Sequence, residues 1–134
     1  MIEAYHSEGM HLHIHTNGDE ATEVTINALE KALMRFPRED HRHTLQHCQM
    51  AEEAHFRRMS KLGICSNLFS NHIFYWGDKH LEKTLGPDRA ARMNAAATAK
   101  KQGVNFSINT DAPVTPLAPL FTAWCAINRR TATG

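Results

Sequence analysis

The sequence predicts an α/β protein built from repeated strand–helix units around a parallel sheet. Three observations predict it. Segments of period-two alternation are followed by segments of helical spacing, four times in succession. Each unit is punctuated by proline, glycine or aspartate where a turn is needed. Three of the four strands end at a polar residue able to bind a metal: His15, His47 and Asp111. Four units make half of an eight-unit barrel, and a small open sheet is the rival arrangement.

The first strand is Met10–His15, where Leu12 and Ile14 face one way and His11, His13 and His15 the other. After the turn Thr16-Asn17-Gly18-Asp19, a helix is expected over Ala21–Phe36. Its apolar stripe is Ala21, Val24, Ala28, Leu29, Ala32 and Leu33, with Asp19 as N-cap and Pro37 as terminator. His43–His47 is the second strand. Ala51–Leu62 is the second helix, with Glu52 and Glu53 in its first turn and Gly63 closing it. Ile64–Leu68 is the third strand and leads into an irregular stretch from Phe69 to Pro87. A helix over Asp88–Gln102, a strand over Val104–Thr110 and a final helix over Leu120–Asn128 complete the set.

The 134 residues suffice for one domain. Apolar residues make up 42%, charged residues 22%, and the formal net charge is +1, with basic residues scattered. No nucleic-acid partner and no membrane are therefore expected. Cys48, Cys65 and Cys125 are isolated and read as small buried hydrophobes in a reducing compartment, so the expected location is the cytoplasm. The first 15 residues lack the plan of a signal peptide, and any targeting segment would lie upstream of Met1.

Ten histidines are the unusual feature of the composition. His15 and His47 are 32 positions apart, about one strand–helix unit, and His47 and Asp111 are 64 apart, about two. Parallel units return the chain to one rim, so the three side chains should converge at the strand C-termini. Two imidazoles and a carboxylate suit zinc or a similar divalent ion, one or two in number. Such an ion lowers the pKa of bound water to roughly 7. Asp111 is the expected catalytic residue, as ligand and proton carrier. Asn71 and His72, in the loop after the third strand, are expected substrate contacts. His11 and His13 read as interior packing, with extra ligands or substrate contacts as the alternative, His43 as interior filling or a donor to a metal ligand, and His6, His41, His55 and His80 as solvated surface residues.

Five segments, in order, resemble those of amidohydrolase family 3. His15-Thr16-Asn17-Gly18-Asp19 is similar to the HxxGD segment after that family's strand five. Arg42-His43-Thr44-Leu45-Gln46-His47-Cys48-Gln49 resembles its RHxxEHxQ segment at strand six, and Thr110-Asp111-Ala112-Pro113-Val114 its SDAPV segment at strand eight. Phe74-Tyr75-Trp76-Gly77-Asp78 and Leu85-Gly86-Pro87-Asp88-Arg89-Ala90 are similar to the linking region, above all in the exoenzyme-regulator-like branch. The resemblance implies a partial catalytic domain over residues 1–134: the C-terminal half, strands five to eight, of a TIM-type barrel. It implies a metal-dependent hydrolase of amide or other non-peptide C–N bonds in small molecules, with His15 and His47 as ligands and Asp111 as ligand and proton carrier.

Two departures stand out. Gln46 replaces the family's usual glutamate. The family's first-strand HxH pair and fourth-strand ligand have no counterpart, because the downstream motifs place His13-Ile14-His15 at strand five. A half barrel leaves sheet edges and an interior uncovered. The chain alone is therefore expected to be inactive and to associate with itself or be poorly stable. The alternative is a non-catalytic metal-binding or regulatory remnant of the fold.

Overall fold

The computed structural model describes all 134 residues. The element order is α1 (Ile2–Ser7), β1 (His13–Thr16), α2 (Asp19–Arg35), β2 (Thr44–His47), α3 (Glu53–Leu62), β3 (Cys65–Leu68), α4 (Asn71–Lys79), a π-helical turn (His80–Thr84), α5 (Gly86–Ala90), α6 (Ala96–Lys101), β4 (Phe106–Ile108) and α7 (Pro119–Asn128). The strands form one parallel sheet in the order β1-β2-β3-β4. No helix is long and apolar enough to cross a membrane.

One face of the sheet is packed beneath helices. Leu45 and Leu68 from that face are fully buried with Ile26 and Leu29 of α2, Phe56 and Met59 of α3, and Ala99 of α6. The apolar stripe of α2 is rotated from the expected one: Thr22, Ile26, Leu29 and Ala32 are buried, whereas Val24 is 57% exposed. Leu29 and Ala32 belong to both stripes, but the helix packs through the strip beside Ile26. Gly18 rather than Asp19 is the N-cap, and the Asp19 carboxylate instead pairs with Arg89 at 2.7 Å. Gly63 closes α3 at φ 69°, the left-handed conformation that favours glycine.

Two stretches differ from expectation. Phe69–Pro87 is largely helical, not irregular. Gly77 conceals this in the sequence, being a poor helix residue, yet it is required in place: a Cβ there would meet Thr131 Cγ2 at 2.6 Å. Conversely, the continuous helix expected over residues 88–102 is broken between α5 and α6. The Arg129 guanidinium donates to the carbonyls of Ala91, Met93 and Asn94 at 2.8–3.1 Å, satisfying the groups that the break releases. The N-terminal helix α1 carries no sequence expectation and is anchored through His6.

Histidines expected on the surface are interior. His6, His41 and His55 are all less than 10% exposed. His6 Nδ1 lies 2.8 Å from His43 Nε2, and His6 Nε2 lies 2.7 Å from the Phe36 carbonyl. Leu12 N–H donates to His43 Nδ1, His43 N–H donates to His41 Nδ1, and His41 Nε2 reaches the Leu62 carbonyl. Backbone groups at every end fix the direction of this chain, so all three rings carry their proton on Nε2. Burial, reinforced by His41 and His6, pushes His43 down to about 3. The chain ties α1 to the N-terminal end of the sheet.

Candidate metal and catalytic site

At the opposite, C-terminal end of the sheet, His15, His47 and Asp111 line one open cleft of about 690 Å³. The His15 and His47 rings meet edge-on with centroids 4.8 Å apart. His15 is the penultimate residue of β1 and His47 the last of β2. Asp111 is not the last residue of β4, which ends at Ile108; it sits in the turn beyond.

Three of the seven non-glycine residues with positive φ lie at this rim. His47, Cys48 and Asp111 hold φ of 70°, 45° and 52°, the left-handed region that costs a non-glycine residue roughly 1–3 kcal/mol. At His47 and Asp111 this conformation turns the chain sharply as it leaves the sheet. Side-chain satisfaction fails at the same place. His47 Nδ1, Ser70 Oγ, Asn71 Oδ1, His72 Nδ1 and Asn109 Oδ1 are all buried without a hydrogen-bond partner. Unpartnered polar atoms are costly, and here they gather where β2, β3 and β4 end.

The electrostatics favour a neutral His47. Burial lowers its pKa and His15 lowers it further, while Asp111 opposes them. A neutral imidazole with a free lone pair is the form that binds metal. The donor set of two imidazoles and a carboxylate therefore fits a divalent ion in chemistry. No three His, Cys, Asp or Glu side chains stand close enough to hold an ion as they are, so binding requires side-chain adjustment.

The residues expected to touch substrate sit behind the cleft. Asn71 is fully buried, and its amide donates to Thr115 Oγ1 at 3.1 Å. Thr115 in turn donates to the Thr110 carbonyl at 2.5 Å, so Asn71 anchors the turn that carries Asp111 rather than facing the cleft. His72 packs against Phe69 and Trp76 and lies 3.2 Å from His80 through Nε2. Burial is the main reason its pKa falls to about 4, with His80 and His47 adding to the effect.

Asn67 and Asn109, which carry no sequence expectation, line the cleft together with Gln46, the departure from the family's glutamate. The signal was available: at alternate positions, Cys65 and Asn67, then Ser107 and Asn109, put polar residues on the face that carries His13 and His15.

Comparison with known proteins bears on the family and the fold. A family model described as "Amidohydrolase family" matches residues 1–134. YtcJ of Bacillus subtilis (strain 168), a protein named as an amidohydrolase, is 28% identical over 133 residues, which are 97% of this chain and 24% of YtcJ. A crystal structure of an uncharacterized metal-dependent hydrolase from Pyrococcus furiosus superposes with a TM-score of 0.78 at 23% identity, covering 96% of this chain and 25% of that one. A second, from Pyrococcus horikoshii OT3, gives 0.75 at 22% identity, covering 92% and 24%. The chain thus spans about a quarter of the length of each relative.

Proposed function

This chain belongs to the amidohydrolase family, and on that footing we propose that it forms the C-terminal half, strands five to eight, of a metal-dependent barrel that hydrolyses amide or other non-peptide C–N bonds in small molecules. One observation carries the reading: His15, His47 and Asp111, distant in sequence, line a single cleft at the C-terminal ends of parallel strands. That end is where catalytic groups gather in such folds.

His15 and His47 would hold the ion through imidazole nitrogen, and Asp111 through its carboxylate. Zinc is the ion that this donor set suits best. When bound, such an ion makes water a nucleophile near neutral pH. Asp111 accepts a proton at a carboxylate oxygen and returns it to the leaving nitrogen. Burial keeps His47 neutral and able to donate its lone pair. The Asn71–Thr115–Thr110 contacts hold the Asp111 turn in register. The family's remaining ligands come from strands that this chain does not contain, so turnover is expected only when the other half is supplied.

Elemental analysis of the purified chain after exposure to zinc tests the reading. About one ion per chain is expected, and its loss in both His15→Ala and Asp111→Ala. Retention of full zinc by both variants overturns the assignment. A second reading, a metal-binding remnant without catalysis, is favoured by the amide of Gln46 where the resemblance implies a carboxylate. Amide hydrolysis on adding the other barrel half separates the two.

A further inference from the structure

Behind the rim, two ring nitrogens are buried without a hydrogen-bond partner: His47 Nδ1 and His72 Nδ1. Both rings pack on Phe69, with centroids 5.6 Å and 5.2 Å from its own. His47 also helps to depress the pKa of His72, which places the two near each other. Both nitrogens are already covered by this chain, so strands from the rest of a barrel cannot reach them, and their surroundings are set by this chain alone. Buried polar atoms are rarely left unpaired, and each exception calls for a physical reason.

A directed set of contacts fixes which of the two is the acceptor. The Gln49 amide, two residues beyond His47, donates through Nε2 to His80 Nε2 at 3.2 Å, so that His80 nitrogen accepts. Burial, and then Lys79, lower the pKa of His80 and keep it neutral. Its proton is therefore on Nδ1 and is donated to Thr84 Oγ1 at 2.6 Å, across the π-helical turn. His72 Nε2 lies 3.2 Å from the same His80 Nε2. Two lone pairs repel at that distance, so His72 Nε2 bears the hydrogen and His72 Nδ1 is a bare acceptor. His47 is the complement. Its Nδ1 is buried, which leaves Nε2 for an ion, and an imidazole bound through Nε2 carries its proton on Nδ1. One unpaired nitrogen is then a donor and the other an acceptor, against one phenyl ring.

We infer that His72 is a positioning residue for the ligand His47: its Nδ1 accepts the Nδ1–H of His47 when an ion holds His47 Nε2, the two rings closing on each other in the side-chain adjustment that metal binding requires. Gln49, His80 and Thr84 hold His72 in the accepting tautomer. Metal-bound histidines regularly donate their second ring nitrogen to such a group, and its loss typically costs about 10–100-fold in affinity. The inference rests on the function proposed above, through His47 as a ligand, and gives His72 a role that is neither substrate contact nor ligation.

The test uses the whole chain and does not depend on turnover. Nitrogen-15 spectra of the histidine rings are recorded without and with zinc. His72 should be protonated on Nε2 in both, and zinc should give a metal-bound His47 Nε2 with a hydrogen-bonded Nδ1–H. His72→Phe keeps a ring but removes the acceptor, and zinc affinity by isothermal titration should fall about tenfold or more. His72→Gln, whose side-chain carbonyl accepts, should recover part of the loss. Gln49→Glu takes the hydrogen of His80 Nε2, makes His72 Nε2 an acceptor and moves the His72 proton to Nδ1. Affinity should then fall as in His72→Phe, although no ligand has been touched, a response that a merely structural role would not give. A proton on His72 Nδ1 in the unmodified zinc-loaded chain overturns the inference, as does zinc bound to His72 itself or unchanged affinity in His72→Phe; the assignment of His47 as a ligand stands in each case. Zinc that leaves His47 unperturbed overturns that assignment, and this inference with it. Should His72→Phe fail to fold, the spectra of the unmodified chain and the Gln49→Glu titration decide.

Discussion

The imidazole of His15 stands edge-on to that of His47 at 4.8 Å between centroids, although 32 residues separate them. One strand–helix unit produces the meeting: β1 and β2 are parallel neighbours, with Thr16 level with His47. Each loses its strand geometry at the same rim, so two rings from remote segments come together without any local sequence contact.

Holding Asp111 in its turn should matter for metal binding as well as for stability. Thr115 accepts from Asn71 and donates to the Thr110 carbonyl next to Asp111. Thr115→Val removes that bridge while keeping the volume close. Zinc affinity is expected to fall by about tenfold or more, the usual effect of losing a group that orients a ligand. Isothermal titration checks it, and unchanged affinity would remove Thr115 and Asn71 from the site's support.

The buried histidine chain makes stability depend on pH. An unfolded histidine titrates near 6.5, whereas His43 in the fold is pushed down to about 3 by burial. Between these values the unfolded chain binds more protons than the folded one, so stability rises with pH there. It is fully present above about 6.5 and drains away as pH falls toward 3, by up to about 1.4 kcal/mol per pH unit from this group. His41, lowered chiefly by its burial, acts in the same direction. Urea midpoints at pH 7.5 and 5.5 should differ more for the unmodified chain than for His43→Gln.

Removing that ring altogether should be costly. His43→Ala leaves Leu12 N–H and His6 Nδ1 without partners in a fully buried position. A loss of about 2–4 kcal/mol is expected from the cavity and the unpaired groups together. A smaller loss, under about 1 kcal/mol by chemical denaturation, would mean that α1 is not anchored through His6.

Gly77 offers a steric test of the C-terminal packing. Gly77→Ala pushes a methyl group against Thr131 Cγ2 at 2.6 Å, which should destabilise the chain by about 1–3 kcal/mol. Thr131→Gly removes the obstructing side chain. The double variant should recover most of the loss, and thermal melts of the three variants decide it.

The core has its own prediction. Phe56 of α3 is fully buried among α2 and sheet residues. Phe56→Ala is expected to cost about 3–5 kcal/mol, enough to unfold a marginal domain. Circular dichroism would register the loss of helix.

The sequence by itself determined the strand–helix order, the parallel sheet and the rim position of His15 and His47, because period-two and helical spacing are local properties. It also marked Gly63 as a cap, since a left-handed turn at the end of α3 is a backbone requirement that glycine meets. Tertiary structure alone decided the rest. Gly77 is compatible with a helix only because Thr131 occupies the space beside it, and the α5–α6 break is stable because Arg129 arrives from 35 residues or more away to bind its carbonyls. Likewise, no local pattern distinguishes a solvated histidine from His6 or His41, whose burial depends on which distant carbonyl each ring meets. The hydrogen bonds from Ser107 to Asn67, from Asn67 to Gln46 and from Gln46 to His13 need all four strands in register, and register is a property of the sheet, not of any one strand.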